Sequence, residues 1–231
     1  MTRPTPGPTL QRVLESAARL QELIPDAVLV GGAAAALHAG HRESLDHDHV
    51  LVDLAERYAE VIEAVEASDG WATSVRASAP PMTLLGSLDG VQAGLRQLRR
   101  RQPLETETVE VAPGLQVVVP TAPETLRVKA YLVVQRNQVR DYLDVVALCE
   151  HLGVDAAVDV LRGIDAFYVD RSGEEGSVLT SIVEALADPE PLDIDVTREL
   201  PRYRGLSERW HDWSAVTGVC NELAMRLAGA W

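Results

Sequence analysis

The sequence predicts an α+β chain: a mixed β-sheet with flanking helices, followed by a helical C-terminal half. Three observations carry that expectation. Short apolar runs alternate with helical stretches from residue 27 to about residue 119. Two of those runs, Met82–Ser87 and Val91–Gln97, flank Leu88-Asp89-Gly90, and Asp-Gly between such runs is a hairpin signal. Beyond Pro120 the apolar residues fall at helical spacing. The change of character sets the expected domains at 1–120 (α/β) and 121–231 (helical), with no clear linker between them.

Taken in order, Thr9–Leu23 reads as an opening helix, Ala27–Val30 as a strand and Gly32–Ala39 as a short helix. His47–Val52 is the next strand, and Leu54–Ala67 an amphipathic helix with apolar residues three and four apart. Trp71–Arg76 is a weaker strand, while Thr106–Val111 and Leu115–Val119 form a second hairpin about Pro113-Gly114. Thr121-Ala122-Pro123-Glu124 is a capping-box pattern that opens a helix from Ala122 to about Gln135. Asn137 is the expected cap of a helix from Gln138 to Leu152, which Gly153 ends. Further helices are expected at Asp155–Tyr168, Val178–Ala187 and Ser207–Ala228, the first two separated by RSGEEG.

Composition bounds the function. The chain of 231 residues is 46% apolar and 24% charged, an ordinary globular balance. No apolar run approaches the length of about 18 residues needed to span a membrane, and the Pro-rich start lacks a signal-peptide core, so a cytoplasmic location is expected. A net charge of −14 argues against broad, non-specific nucleic-acid binding, which rests on many Lys and Arg contacts to phosphate. A local basic patch, Arg96, Arg99, Arg100 and Arg101, is either a solvated loop or an RNA-contacting edge. Cys149 and Cys220 lie in helical patterns and are expected as buried free thiols.

The chemistry concentrates between Val28 and Val52. Gly31-Gly32 sits between a strand and a helix, which turns backbone N–H groups and the positive helix end towards one sheet edge. Asp46 and Asp48 share one face of the following strand, with His47 and His49 on the other. Two carboxylates about 7 Å apart along a strand repel unless a cation lies between them. Mg²⁺, or Mn²⁺, suits them, because it takes oxygen ligands and keeps substrate phosphate in its shell. Taken singly, a tight turn and a solvated strand end explain the same residues. The histidines between His38 and His49 lack Cys or His partners at zinc spacing. His41 and Arg42 precede the motif, where they are placed to touch phosphate.

Downstream, Lys129 lies among apolar neighbours, where its ammonium must snorkel or meet an anion. Arg136, Arg140, Asp141 and Asp144 follow, the two acids on roughly one helix face. Lys129 would hold a nucleotide phosphate, with Asp144 orienting Lys129 or the attacking hydroxyl. The structural alternative is a helix-start charge and a salt bridge to Arg140.

Gly31-Gly32, then Arg42-x-Ser44-x-Asp46-x-Asp48, then Lys129 with Arg140-Asp141-x-x-Asp144, resembles the AbiEii/MenT-type nucleotidyltransferases of the DNA polymerase beta-like superfamily, which include toxins of type IV toxin–antitoxin systems. The resemblance covers residues 25 to 150 closely and implies a nucleotidyltransferase-like sheet. It implies Asp46, Asp48, Lys129 and Asp144 as catalytic residues, with Asp46 and Asp48 as metal ligands. Nucleotide-binding roles are expected for Gly31, Gly32, Arg42, Ser44, Lys129 and Arg140. The implied reaction transfers a nucleoside monophosphate from a nucleoside triphosphate (NTP) to an acceptor hydroxyl, releasing pyrophosphate. The implied acceptor is a tRNA 3′ end, the implied partner a cognate antitoxin, and Ser44 would be a site of silencing by phosphorylation. Nucleotidyl transfer to a small molecule or protein, or a non-catalytic binding protein of the same fold, are the alternatives. One departure is plain: Gly94 stands where many superfamily members place a third carboxylate, leaving Asp89, Glu105 or Glu107 as substitutes if one is needed.

Overall fold

The computed structural model describes residues 4–170, 173 and 176–229. It separates into two compact units, residues 1–99 with 105–121 and residues 100–104 with 122–231. Four residues of the expected RSGEEG connection, Arg171, Ser172, Glu174 and Glu175, lie outside the described residues.

The first unit is built on a five-stranded mixed sheet. In chain order come α1 (Pro8–Leu23), β1 (Val28–Val30), α2 (Gly31–Ala39), β2 (Asp46–Leu51), α3 (Leu54–Glu66), β3 (Trp71–Thr73), β4 (Thr83–Leu88) and β5 (Val91–Gln97). The strand order is β1-β2-β5-β4-β3. Only the β2–β5 pairing is parallel; β1–β2, β4–β5 and β3–β4 are antiparallel. The β4–β5 hairpin turns on Asp89 (φ 52°) and Gly90 (φ 77°), the consecutive positive φ values of a tight two-residue turn. β3 is shorter than its expected run, because the backbone turns through Ser74–Ala77 instead of extending.

β6 (Thr106–Ala112) and β7 (Leu115–Pro120) form a separate two-stranded sheet. Gln21 of α1 completes its edge, since Gln21 Nε2 donates to the Val118 carbonyl at 2.8 Å while Oε1 accepts from the Val118 N–H at 2.7 Å. One apolar cluster joins α1 and α2 to β6 and β7 through Leu14, Ala17, Leu37, Val117 and Val119. A second joins the end of α1 and α3 to the sheet through Leu20, Leu51, Leu54, Val61 and Leu95. β2 lies between β1 and β5 in the sheet, and its exposed end carries the aspartates.

The second unit is helical: α4 (Ala122–Arg136), α5 (Val139–Leu152), α6 (Val154–Arg162), α7 (Val178–Ala187) and α8 (Trp213–Leu227), with 3₁₀ turns at Ile164–Ala166, Ile194–Arg202 and Glu208–Trp210. Three expectations need correction here. The helix expected over Asp155–Tyr168 stops at Gly163 and continues only as a 3₁₀ turn. The one expected over Ser207–Ala228 begins as a helix only at Trp213, where the Asp212 carboxylate accepts from the Ser214 N–H at 2.9 Å. Asn137 does not cap α5. It takes φ 49° and its N–H closes α4 on the Val133 carbonyl at 2.9 Å, the left-handed helix-end role that Asn tolerates. Cys149 and Cys220 are buried free thiols whose pKa values burial pushes up to about 11 and about 12, so neither is a reactive thiolate near neutrality.

Candidate active site

The strand carrying the two aspartates alternates as its sequence requires. Asp46 is exposed and Asp48 half-buried on one face, while His47, His49 and Leu51 are buried on the other. His47 Nε2 meets the Ser16 hydroxyl of α1 at 3.1 Å, and its Nδ1 lies 3.5 Å from His49 Nδ1. Burial lowers the His47 pKa to about 4, against the opposing pull of Asp46, and lowers that of His49 well below its ordinary value. Both imidazoles are therefore neutral packing groups behind the aspartates at neutral pH.

Around the aspartates the chain is small and close. Gly31 opens α2 with φ 75°, and a side chain there would meet Asp48 Oδ2 at 3.4 Å. The N-terminal end of α2 thus sits against the Asp48 carboxylate, where its partial positive charge is favourable. A methyl group on Gly32 would lie 2.7 Å from Arg42 Nη2 and 2.9 Å from Ser44 Oγ. Gly32 is accordingly the space into which a buried arginine and a buried hydroxyl fold. Ser44 Oγ donates towards Asp46 Oδ1 at 3.2 Å and lies at the same distance from the Asp46 carbonyl. Gly31, Gly32, Arg42, Ser44, Asp46 and Asp48 therefore come together in the first unit.

The parallel neighbour, β5, supplies what the sequence did not reveal. Asp48 is in register with Gly94, and Val50 with Arg96. A Cβ on Gly94 would stand 2.5 Å from Asp48 Oδ1 and 3.0 Å from Leu85 Cδ2, so the position cannot hold an acid without displacing Asp48. Arg96 Nε donates to Asp48 Oδ1 at 3.3 Å. Its signal was available only as a cation two residues beyond Gly94, and nothing local showed that β5 lies parallel to β2. Two carboxylates on one strand suit a single Mg²⁺ that keeps phosphate and water in the rest of its shell. Among the described residues no group of three His, Cys, Asp or Glu side chains could hold an ion by itself.

In the second unit Lys129 of α4 is buried, with Nζ 2.6 Å from Asp144 Oδ2 and 3.6 Å from Asp141 Oδ1 of α5. Both carboxylates are fully buried, and neither oxygen of Asp141 has a hydrogen-bond partner. Burial raises the Asp141 pKa, with Lys129 pulling the other way. Arg140, which directly precedes Asp141 in the sequence, is instead exposed on α5.

Of the four clustered arginines, Arg96 sits on Asp48 in the first unit and Arg99 is exposed. Arg100 is enclosed in the second, ion-paired to Glu124 with its guanidinium over the rings of Phe167 and Tyr168. Arg101 donates to the Asp165 carbonyl at 3.2 Å.

No protein-family model matches the chain. In sequence it is 33% identical over 207 residues to "Heme uptake protein MmpL11" of Mycobacterium tuberculosis, covering 82% of this chain but 20% of that protein. It is also 33% identical over 131 residues to "Mycolic acid-containing lipids exporter MmpL11" of Mycolicibacterium smegmatis, covering 56% of this chain and 13% of that one. The chain thus spans a fifth or less of these curated relatives, and among its described residues no helix is long and apolar enough to cross a membrane. In structure it is similar to MenT4, a nucleotidyltransferase toxin from Mycobacterium tuberculosis, with a TM-score of 0.58 at 15% identity over 95% of this chain and 84% of that one. JHP933 from Helicobacter pylori follows with a TM-score of 0.51 at 14% identity, over 97% and 95%. The mixed sheet with flanking helices and the helical C-terminal part give this chain a nucleotidyltransferase-like fold, the one MenT4 also has.

Proposed function

We propose that the protein is a metal-dependent nucleotidyltransferase that moves a nucleoside monophosphate from an NTP to an acceptor hydroxyl, acting as the toxin of a toxin–antitoxin pair. The observation that carries this reading is the assembly of Asp46, Asp48, Ser44 and Arg42 at the Gly31-Gly32 opening of α2, on a fold shared with MenT4. In the proposed reaction the acceptor oxygen attacks the α-phosphorus, its proton passes to solvent or a carboxylate, and pyrophosphate leaves. Mg²⁺, held by Asp46 and Asp48, would offset charge on the phosphates during transfer. The α2 N-terminus and the buried Arg42 supply fixed positive potential for the triphosphate. Ser44 holds Asp46 in place through its hydroxyl. Roles for Lys129 and Arg140 at the nucleotide phosphates, and for Asp144 as a further essential carboxylate, come from the family resemblance. So do a tRNA 3′ end as acceptor and a cognate antitoxin as partner, which would place the reaction in the cytoplasm.

The test is incubation of the protein with each of the four α-³²P-labelled triphosphates, Mg²⁺ and total tRNA, and separately with small-molecule and protein acceptors. Asp46→Ala is expected to lose at least 100-fold in transfer, about 3 kcal/mol of transition-state stabilisation. A second reading, a ligand-binding module without transfer activity, is favoured by Gly94 in place of an acid and by similarity to part of MmpL11, named as a heme uptake protein in Mycobacterium tuberculosis. It predicts no label on any acceptor and a growth effect on expression that Asp46→Ala leaves intact.

A further inference from the structure

The Arg96–Asp48 contact acquires a role once the empty place beside it is considered. β5 carries Gln92, Gly94 and Arg96 on the face that meets Asp46, Asp48 and Val50 across the parallel ladder. Gly94 presents only backbone to Asp48, so no third carboxylate joins Asp46 and Asp48 from β5. Arg96 reaches back one register step instead and covers Asp48 Oδ1 at 3.3 Å, while Oδ2 faces the Gly31 turn. The carboxylate best placed to take a cation is thus already engaged by one belonging to the chain.

That engagement is reversible by construction. The side chains of Arg96 and Asp48 are 39% and 26% exposed, so the guanidinium is free to leave without opening the core. A triphosphate is the stronger partner for it, since arginine matches phosphate oxygens with two parallel charge-assisted hydrogen bonds. Resting on the nucleotidyltransferase reading above, we infer that Arg96 is a positioning residue that competes with the divalent ion for Asp48. Metal then enters the site together with the nucleotide and is bound weakly without it. Arg96 moves from Asp48 to the incoming phosphates, which exchanges one anionic partner for another and frees Asp48 for the metal. A protein so arranged holds Asp48 neutralised while idle.

The experiment is Mn²⁺ binding, followed by electron paramagnetic resonance, to the wild type, Arg96→Gln, Arg96→Lys and Asp48→Asn. Each is titrated with and without the α,β-methylene analogues of the four nucleoside triphosphates, which cannot be cleaved at the reacting bond. Arg96→Gln is expected to bind free Mn²⁺ about fivefold more tightly than the wild type, a modest factor because a pair this open to water is screened. Arg96→Lys keeps the charge and should stay within twofold of the wild type. With an analogue present, the wild-type affinity should rise and the advantage of Arg96→Gln should vanish. Equal free-Mn²⁺ affinities for wild type and Arg96→Gln, with binding still lost in Asp48→Asn, would overturn the competition and leave the metal site standing. No Mn²⁺ bound by any of the four proteins, with or without analogue, would overturn the metal-dependent reading and this inference with it.

Discussion

Replacing Lys129 by methionine tests how the helical unit tolerates its buried charges. The substitution keeps the length of the stem and removes an ammonium that lies 2.6 Å from Asp144 and 3.6 Å from Asp141, both carboxylates being fully buried. Taking one partner from a buried ion pair leaves the other charge uncompensated, which costs about 3–5 kcal/mol. Against a total stability on the order of 5–15 kcal/mol, that is about a fifth of the whole or more. The pH dependence is the sharper readout. Burial already raises the Asp141 pKa and Lys129 opposes it, so without Lys129 the folded-state pKa climbs further. A carboxyl whose folded pKa exceeds its unfolded value binds more protons when folded, and stability then rises as pH falls. Urea unfolding at pH 7.5 and pH 5 should therefore show a large deficit for Lys129→Met at the higher pH and a smaller one at the lower. Adding Asp144→Leu to Lys129→Met should recover part of the loss, since exchanging both partners for apolar groups approaches neutrality. A deficit under 1 kcal/mol, or one independent of pH, would refute the account of Lys129 as the neutraliser of these carboxylates.

Gly94→Ala places a Cβ 2.5 Å from Asp48 Oδ1 and 3.0 Å from Leu85, so it should cost about 1–3 kcal/mol in chemical denaturation and depress transfer by moving Asp48. Gly32→Ala is expected to separate the two effects. Its methyl meets the side-chain ends of Arg42 and Ser44 and no backbone, and helix propensity improves by about 1 kcal/mol, so the melting temperature should fall less than for Gly94→Ala while displacement of Arg42 and Ser44 weakens nucleotide binding. Acid sensitivity should come partly from behind the site. The His47 pKa falls to about 4 on folding, so the unfolded chain binds the extra proton below pH 6.5, and the stability tied to the neutral ring, up to about 3 kcal/mol, is lost as pH drops from 6.5 towards 4. Urea midpoints across that range for wild type and His47→Gln should converge at the acid end, and a constant gap between them would contradict the assignment.

Much of this arrangement is written locally. The Asp-Gly hairpin, the glycine pair at the start of α2 and the alternation through Asp46–Leu51 each follow from residues within a turn of one another. What escapes is set from a distance. Asn137 reads as a cap for the helix after it, yet the first free N–H of that helix, on Val139, is met at 2.8 Å by the Asp193 carboxylate, 54 residues on. That leaves Asn137 to finish α4, with its side chain shared between Tyr142 and the Glu190 carbonyl. Arg96 escapes for the same reason, because a parallel pairing between β2 and β5 leaves no mark in the intervening chain. The histidines illustrate the converse. Their cluster invites a metal reading, and alternation alone sends His47 and His49 to the buried face.

The fate of the four arginines constrains any nucleic-acid acceptor. In sequence they form one basic patch, but Arg100 is spent on Glu124 and two aromatic rings, Arg101 donates to a carbonyl, and Arg96 lies on Asp48. Arg99 alone of the four is both exposed and unassigned to such a contact among those described. A duplex gripped along its backbone needs several simultaneous phosphate contacts to release counterions, and a chain with a net charge of −14 works against them. An RNA substrate of this protein would therefore be held at its terminus, by a few contacts near the reacting hydroxyl, and not along its length. That mode would agree with the proposed site, built from the turn and strand ends around Asp46.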